Sequence, residues 1–228
     1  MSTYPSISVI IPCRDAGSYL AETLQSIHAQ TLQPLEIVMV DDGSSDDSAK
    51  IGQADPLVRL ERQPAKGVSA ARNRGLKLAL GEVIAFLDAD DLWPVDSLRK
   101  RMDTLLATPT LDGVYGYTEQ FSSPEWQDHS NISVPDMPLQ ARVAGAMVLR
   151  RSVFERVGEF NTQLVLGDTI DYVARMDEAG IQVAAIDDVV LRRRIHGRNT
   201  VLTQRQHQND YLKILKAALD RRRSVVKR

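Results

Sequence analysis

Phe86-Leu87-Asp88-Ala89-Asp90-Asp91 is the stretch on which fold and chemistry both turn. It closes an apolar run over residues 83–87 and places three carboxylates directly after it. Residues 8–11 and 37–40 are two further short runs of the same kind, rich in β-branched side chains. Continuous rather than alternating apolar character is the pattern of parallel strands buried on both faces. Between the runs lie helical spacings: Leu20, Leu24 and Ile27 in one segment, and residues 68–80 in another. Ala70, Ala71 and Gly75 in the second are small enough to pack closely on a sheet. The N-terminal part therefore reads β-α-β-α-β-α-β, which calls for an α/β fold with a doubly wound, mostly parallel sheet and right-handed crossovers.

In such sheets ligands bind beyond the carboxyl ends of the strands. Three clusters stand there: Pro12-Cys13-Arg14-Asp15, Asp41-Asp42-Gly43-Ser44-Ser45, and Asp88-Ala89-Asp90-Asp91. Side chains two apart on an extended segment point the same way, so Asp88 and Asp90 can offer two carboxylates to one cation. Hard oxygen ligands suit Mg2+ or Mn2+, which keep positions open for water and phosphate oxygens. The alternative is that the aspartates cap the next helix. Asp41 and Asp42 can accept hydrogen bonds from a nucleobase or ribose, while Ser44 or Ser45 can serve as an N-cap.

Beyond Leu92 the pattern loosens. Residues 94–106 read as a helix opened by Pro94, and 114–121 and 142–149 as strands on either side of a polar, proline-containing loop over 122–138. A helix over 169–179 leads into a strand over 183–191, and an amphipathic helix carrying Leu212, Leu215 and Leu219 closes the chain. The expected organisation is one domain over 1–200, with a ligand-binding half to residue 92, followed by a helix and basic tail over 201–228.

A chain of 228 residues, 43% apolar and 25% charged, is sized and composed for one globular domain. A formal net charge of -2 argues against a nucleic-acid binder. One cysteine, Cys13, excludes an internal disulfide and a thiolate zinc site and suits a reducing compartment. The first residues lack a signal-peptide pattern and no apolar run approaches the roughly 20 residues of a membrane span, so the expected location is cytoplasmic. The tail, with Arg221, Arg222, Arg223, Lys227 and Arg228, allows weak contact with an anionic membrane surface.

Ser8-Val9-Ile10-Ile11-Pro12, Val40-Asp41-Asp42-Gly43-Ser44, Gly67 with Ala71-Arg72-Asn73, and Phe86-Leu87-Asp88-Ala89-Asp90-Asp91, in that order and spacing, resemble family 2 glycosyltransferases of the GT-A fold over roughly the first hundred residues. The resemblance implies a smaller acceptor-side sheet and transfer, with inversion, from a nucleotide diphosphate sugar, by default a uridine diphosphate sugar. It implies that Asp42 and Asp41 face the base or ribose, that Pro12 and Arg14 line the nucleoside pocket, and that Gly67 and Arg72 lie on the donor side. Asp90 becomes the principal metal ligand of an Asp-x-Asp motif, with Asp88 assisting. Arg192-Arg193-Arg194-Ile195-His196-Gly197-Arg198 resembles a late element in which His196 completes the metal shell and Arg194 neutralises the leaving diphosphate.

The second half departs from the pattern. Such enzymes carry a Glu-Asp pair whose aspartate is the general base, and alignment of Asp171 and Arg175 here puts Asp168 at the glutamate and Thr169 at the base. Threonine cannot serve, because a general base must accept a proton near neutral pH. Asp168 is the first candidate and Asp171 the second. Asp168 also reads as an N-cap, and Asp171 as the i,i+4 partner of Arg175. The acceptor, a glycan, a lipid-linked, peptide or small-molecule hydroxyl, is expected from the 122–138 side. Loss of the base leaves a non-catalytic nucleotide-sugar binder as the alternative. A sugar-nucleotide pyrophosphorylase lacks its glycine-rich loop here, and a dinucleotide-dependent oxidoreductase its Gly-x-Gly-x-x-Gly.

Overall fold

The computed structural model describes residues 4–126, 134–135 and 137–226. The first half runs β1 (Ile7–Cys13), α1 (Leu20–His28), β2 (Glu36–Asp41), α2 (Ser48–Ala54), β3 (Val58–Arg62), α3 (Val68–Leu78) and β4 (Val83–Phe86). The strand-helix alternation is the one expected. The second half runs α4 (Ser97–Ala107), β5 (Gly113–Ser122), β6 (Leu139–Gln140), β7 (Met147–Arg150), α5 (Arg151–Val157), α6 (Asp168–Glu178), β8 (Val183–Ile195), α7 (Thr200–Thr203) and α8 (Asn209–Val226).

The strands form one sheet in the order β3-β2-β1-β4-β7-β5-β6, with β8 paired to β5. β1 to β4 are mutually parallel, β7 is antiparallel to both β4 and β5, and β8 is parallel to β5. β6 and β8 thus branch from the main sheet at β5. Strand alternation sorts the apolar runs into two layers. Val9, Ile11, Ile37, Met39, Ala85 and Leu87 meet Leu20 and Leu24 of α1 and Leu98 and Met102 of α4. Ile10, Val38, Val40, Ile84 and Phe86 meet Ala71 of α3, Val153 of α5, and Tyr172 and Met176 of α6. Both faces are therefore buried, each large apolar side chain contributing about 1.5–3 kcal/mol. Gly75 permits the α3 contact: a Cβ there would stand 2.4 Å from Ile10 Cγ2.

Two expectations need correction. The helix expected from Pro94 begins at Ser97, because the Pro94 carbonyl accepts the Ser97 N–H in a turn. The strand expected over 142–149 starts at Met147, its first part being a 3-10 turn at Ala144–Ala146. Leu212, Leu215 and Leu219 of α8 point outward, while Ile214 is buried. In the 122–138 stretch, Pro124–Trp126 form a 3-10 turn; the rest of the expected loop lies partly outside the described residues, as do Lys227 and Arg228 of the tail. Among the described residues no helix is long and apolar enough to cross a membrane.

β8 runs to Ile195, beyond the end expected at residue 191, and this builds the site. Its C-terminal part lies beside the tip of β4, where Leu92 and Arg192 exchange backbone hydrogen bonds of 2.9 and 2.8 Å.

Candidate functional site

Asp88 and Asp90 leave the end of β4 in different directions. Asp88 Oδ1 accepts from Arg72 at 2.8 Å, and the same guanidinium pairs with Asp168 at the start of α6. Arg72 is 4% exposed, lying over the rings of Phe86 and Phe160. Burial opposes its charge, but the two carboxylates outweigh burial and move its pKa upward. The arginine expected on the donor side is thus a buried bridge between the strand tip and the first candidate base.

Asp90 faces the other way. Its Oδ2 is 2.8 Å from His196 Nε2. His196 Nδ1 accepts the Arg198 N–H at 3.2 Å, which assigns the ring proton to Nε2 and makes Nε2 the donor to Asp90. Tyr19 packs on the imidazole with ring centroids 4.6 Å apart, and its hydroxyl bonds Glu125 of the 3-10 turn. Arg194 holds the pair in place: its Nε donates to the Asp90 carbonyl at 2.9 Å and its other end to Glu22 at 2.5 Å. The Arg194 guanidinium also lies over Tyr19 and Phe121. Asp91 accepts the Arg194 backbone N–H at 2.9 Å. Burial, then the charges of Asp90 and Asp88, pushes the Asp91 carboxyl well above the usual range.

The second strand end is occupied by its own fold. Asp41 is fully buried, its oxygens taken by the Ser44 N–H at 2.9 Å and Arg62 at 2.9 Å. Both Asp41 oxygens are thus bonded within the protein, and Asp42, 3% exposed, is likewise bonded on both. Asp42 accepts from Gln63 at 2.7 Å and from the Lys66 and Gly67 N–H groups at 2.8 Å each. Gly67 sits at φ 91° as the loop enters α3. Pro12 is buried within β1 beside Val40 of β2, and Arg14 is exposed, 3.9 Å from Asp15. Asp171, the second base candidate, is buried and bonded to Arg175 at 2.9 Å with Arg221 at 3.7 Å. Its pairing role is the one its i,i+4 spacing announces.

Among the described residues no three of His, Cys, Asp and Glu converge on a single point. The donor set nevertheless fits Mg2+ or Mn2+. Such an ion takes one or two protein carboxylates and leaves its other positions to water and phosphate. Asp90 and His196, brought together at the strand tip, are the residues that would hold such an ion. Asp88 is turned to Arg72, so Asp90 and His196 form the better pair.

Tyr19, Glu22, Asp91 and Glu125 belong to the site without having been singled out by sequence. Asp91 stands inside the decisive motif, but nothing local shows that its partner is 103 positions away. Tyr19 and Glu22 carry no sequence signal beyond lying at the start of a helix that follows β1.

Residues 8–158 match the family described as Glycosyl transferase family 2. Glycosyltransferase YibD of Escherichia coli is 42% identical over 95 residues, which cover 40% of this chain and 28% of YibD. Glycosyltransferase GlyG of Streptococcus pneumoniae is 37% identical over 121 residues, 50% of this chain and 40% of GlyG. Glycosyltransferase AglE of Haloferax volcanii is 29% identical over 205 residues, 83% of this chain and 67% of AglE. The matches thus span less than half the length of YibD and GlyG. Among solved structures, S. aureus TarS 1-349 in complex with UDP-GlcNAc superposes with a TM-score of 0.69 at 17% identity, covering 86% of this chain and 60% of TarS 1-349. The two share the fold.

Proposed function

Because this chain belongs to glycosyl transferase family 2, we propose that it moves a sugar from a nucleotide diphosphate sugar to an acceptor hydroxyl, with inversion and with Mn2+ or Mg2+ in attendance. The observation that carries the reading is the pairing of Asp90 with His196 beside the Arg72 bridge from Asp88 to Asp168, all at the carboxyl end of β4. A uridine diphosphate donor is the first choice, supported by the TarS structures with UDP and with UDP-GlcNAc.

In this reading Asp90 and His196 would hold the cation, whose charge would offset that building on the departing diphosphate. Asp42 reads the base or ribose in place of the Lys66 and Gly67 amides. Asp168 is oriented by Arg72 through Oδ2, and its other oxygen takes the proton of the acceptor hydroxyl as the hydroxyl oxygen bonds to the anomeric carbon. The bond to the donor phosphate oxygen breaks in the same displacement, so configuration inverts. Arg194 is a positioning residue, since Glu22 and the Asp90 carbonyl occupy its guanidinium.

One observation favours a second reading. The ion pair with Arg72 is what a structural acid at the position before the family's base would make, and with Thr169 next to it the chain becomes a donor binder without turnover. Incubation with Mn2+ and a panel of nucleotide sugars separates the two, with binding read from the melting temperature and transfer or donor hydrolysis from released nucleoside diphosphate. Asp168→Asn is expected to keep donor binding and to lose transfer by roughly 10²–10⁴-fold, the usual contribution of a general base. Unchanged turnover in that variant rejects Asp168 as the base, and saturable binding without turnover in the unsubstituted protein selects the binder.

A further inference from the structure

α8 has two apolar faces, and the body of the protein uses one of them. Asp210 at its start accepts the Val165 and Leu166 N–H groups at 2.8 and 3.2 Å. Ile214 is 6% exposed and packs where Gly167, at φ 75°, has no side chain; a Cβ there would stand 2.7 Å from Ile214. Arg221 binds Glu178 of α6 at 2.5 Å. The other face carries Leu212, Leu215 and Leu219, which are 65%, 58% and 44% exposed, with Tyr211 39% exposed at its edge. Three leucines at i, i+3 and i+7 form a row along one side of a helix. Leaving such a row in water is unfavourable by roughly 25 cal/mol per Å², so a partner of some kind is implied.

The charges beside the row choose among partners. Lys216 and Arg223 are both exposed, and each stands four positions after a leucine of the row, Leu212 and Leu219 respectively. Residues four apart are neighbours on a helix surface, so the two cations border the same flank of the row. If two copies paired through their leucine rows, these cations would line the seam. The opposite flank offers Tyr211 and Ala218 and no acid to meet them. Of the two aspartates in the helix, Asp210 is buried and bonded to Lys213 at 2.7 Å, and Asp220 lies beyond Lys216, further round the helix from the row. Like charges oppose self-association, whereas an apolar row bordered by cations suits an anionic lipid surface.

We propose that α8 seats this chain on an anionic membrane surface, Leu212, Leu215 and Leu219 entering the acyl boundary and Lys216 and Arg223 meeting lipid headgroups. The inference does not rest on the proposed chemistry at Asp90 and Asp168.

Co-sedimentation of the 228-residue chain with vesicles of phosphatidylcholine, with and without phosphatidylglycerol, tests it. Binding is expected with phosphatidylglycerol, weakening as salt is raised, and little with phosphatidylcholine alone. Leu215→Gln and Leu219→Gln are each expected to weaken partitioning about tenfold or more. Lys216→Gln and Arg223→Gln are each expected to weaken it about fivefold while leaving the leucine row intact. Circular dichroism checks that each variant is folded, and the two charge variants carry the test should a leucine variant fail to fold. The proposal is overturned if the unsubstituted chain stays in the supernatant, if both vesicle types bind it equally, or if sedimentation equilibrium shows a dimer that Leu215→Gln dissolves.

Discussion

His196 Nε2 stands 2.8 Å from Asp90 Oδ2, 106 positions away in sequence, and the end of β8 is what brings them together. Removing either partner removes a donor atom from the pair that would hold a divalent ion in the proposed reading. Asp90→Asn is expected to abolish Mn2+-dependent binding of a nucleoside diphosphate while leaving the fold intact. His196→Ala is expected to weaken it by at least the ~10-fold that loss of even a supporting contact to a metal site costs. Titration calorimetry with UDP and Mn2+ reads both, and wild-type affinity in Asp90→Asn rejects the assignment.

Arg72 ties Asp88 to Asp168 from a site that is almost fully buried. Arg72→Ala removes the counter-charge of Asp168, while Asp88, 42% exposed, returns to water, so the loss is expected at about 1.5–3 kcal/mol, the worth of a hydrogen bond to a charged group. Arg72→Lys restores a charge but not a planar fork that can hold two carboxylates at once. Urea unfolding is expected to place Arg72→Lys between Arg72→Ala and the unsubstituted chain. Equal stability of all three would show that the bridge contributes nothing.

The strands are legible in the sequence because β1, β2 and β4 are buried on both faces and need unbroken apolar runs. The clustering of Asp42, Asp88 and Asp90 at strand ends follows from topology alone. Arg72 is not legible in the same way: on a helix it reads equally as a surface ion-pair former, and only the tertiary fold turns it under Phe160. Arg194 and Glu22 meet across 172 positions, which no local spacing records. For Leu212, Leu215 and Leu219 the period announces an amphipathic helix, but a period cannot say which of two apolar faces the body takes. The body takes Ile214, with Gly167 making the room.

Cys13 is buried at the end of β1. Burial, with the nearby charges of Asp41 and Asp46, pushes its thiol up to about 12, against a weaker opposing bond from Ser48. The thiolate is the reactive form, so the native protein is expected to resist the thiol reagent dithiobis-nitrobenzoate at mildly alkaline pH. Unfolding in guanidinium should release one equivalent. Rapid labelling of the folded chain would contradict the packing around β1.

Asp210 fixes the start of α8, and its titration reports that docking. The Lys213 ammonium holds its carboxyl down to about 2; burial pushes the other way, and the Val165 and Leu166 N–H groups add to the lowering. In the unfolded chain the same group titrates near ~3.9. A lowered folded pKa means stability that is fully present above the unfolded value and lost as pH falls from about 4 to about 2. Asp210→Asn removes this contribution at every pH, so the variant should melt below the unsubstituted chain at neutral pH, and the gap should narrow as pH drops through that window. Melting curves of both proteins across the acid range measure the gap, and a gap that stays constant down to the lower limit would show that Asp210 does not hold α8 by its charge.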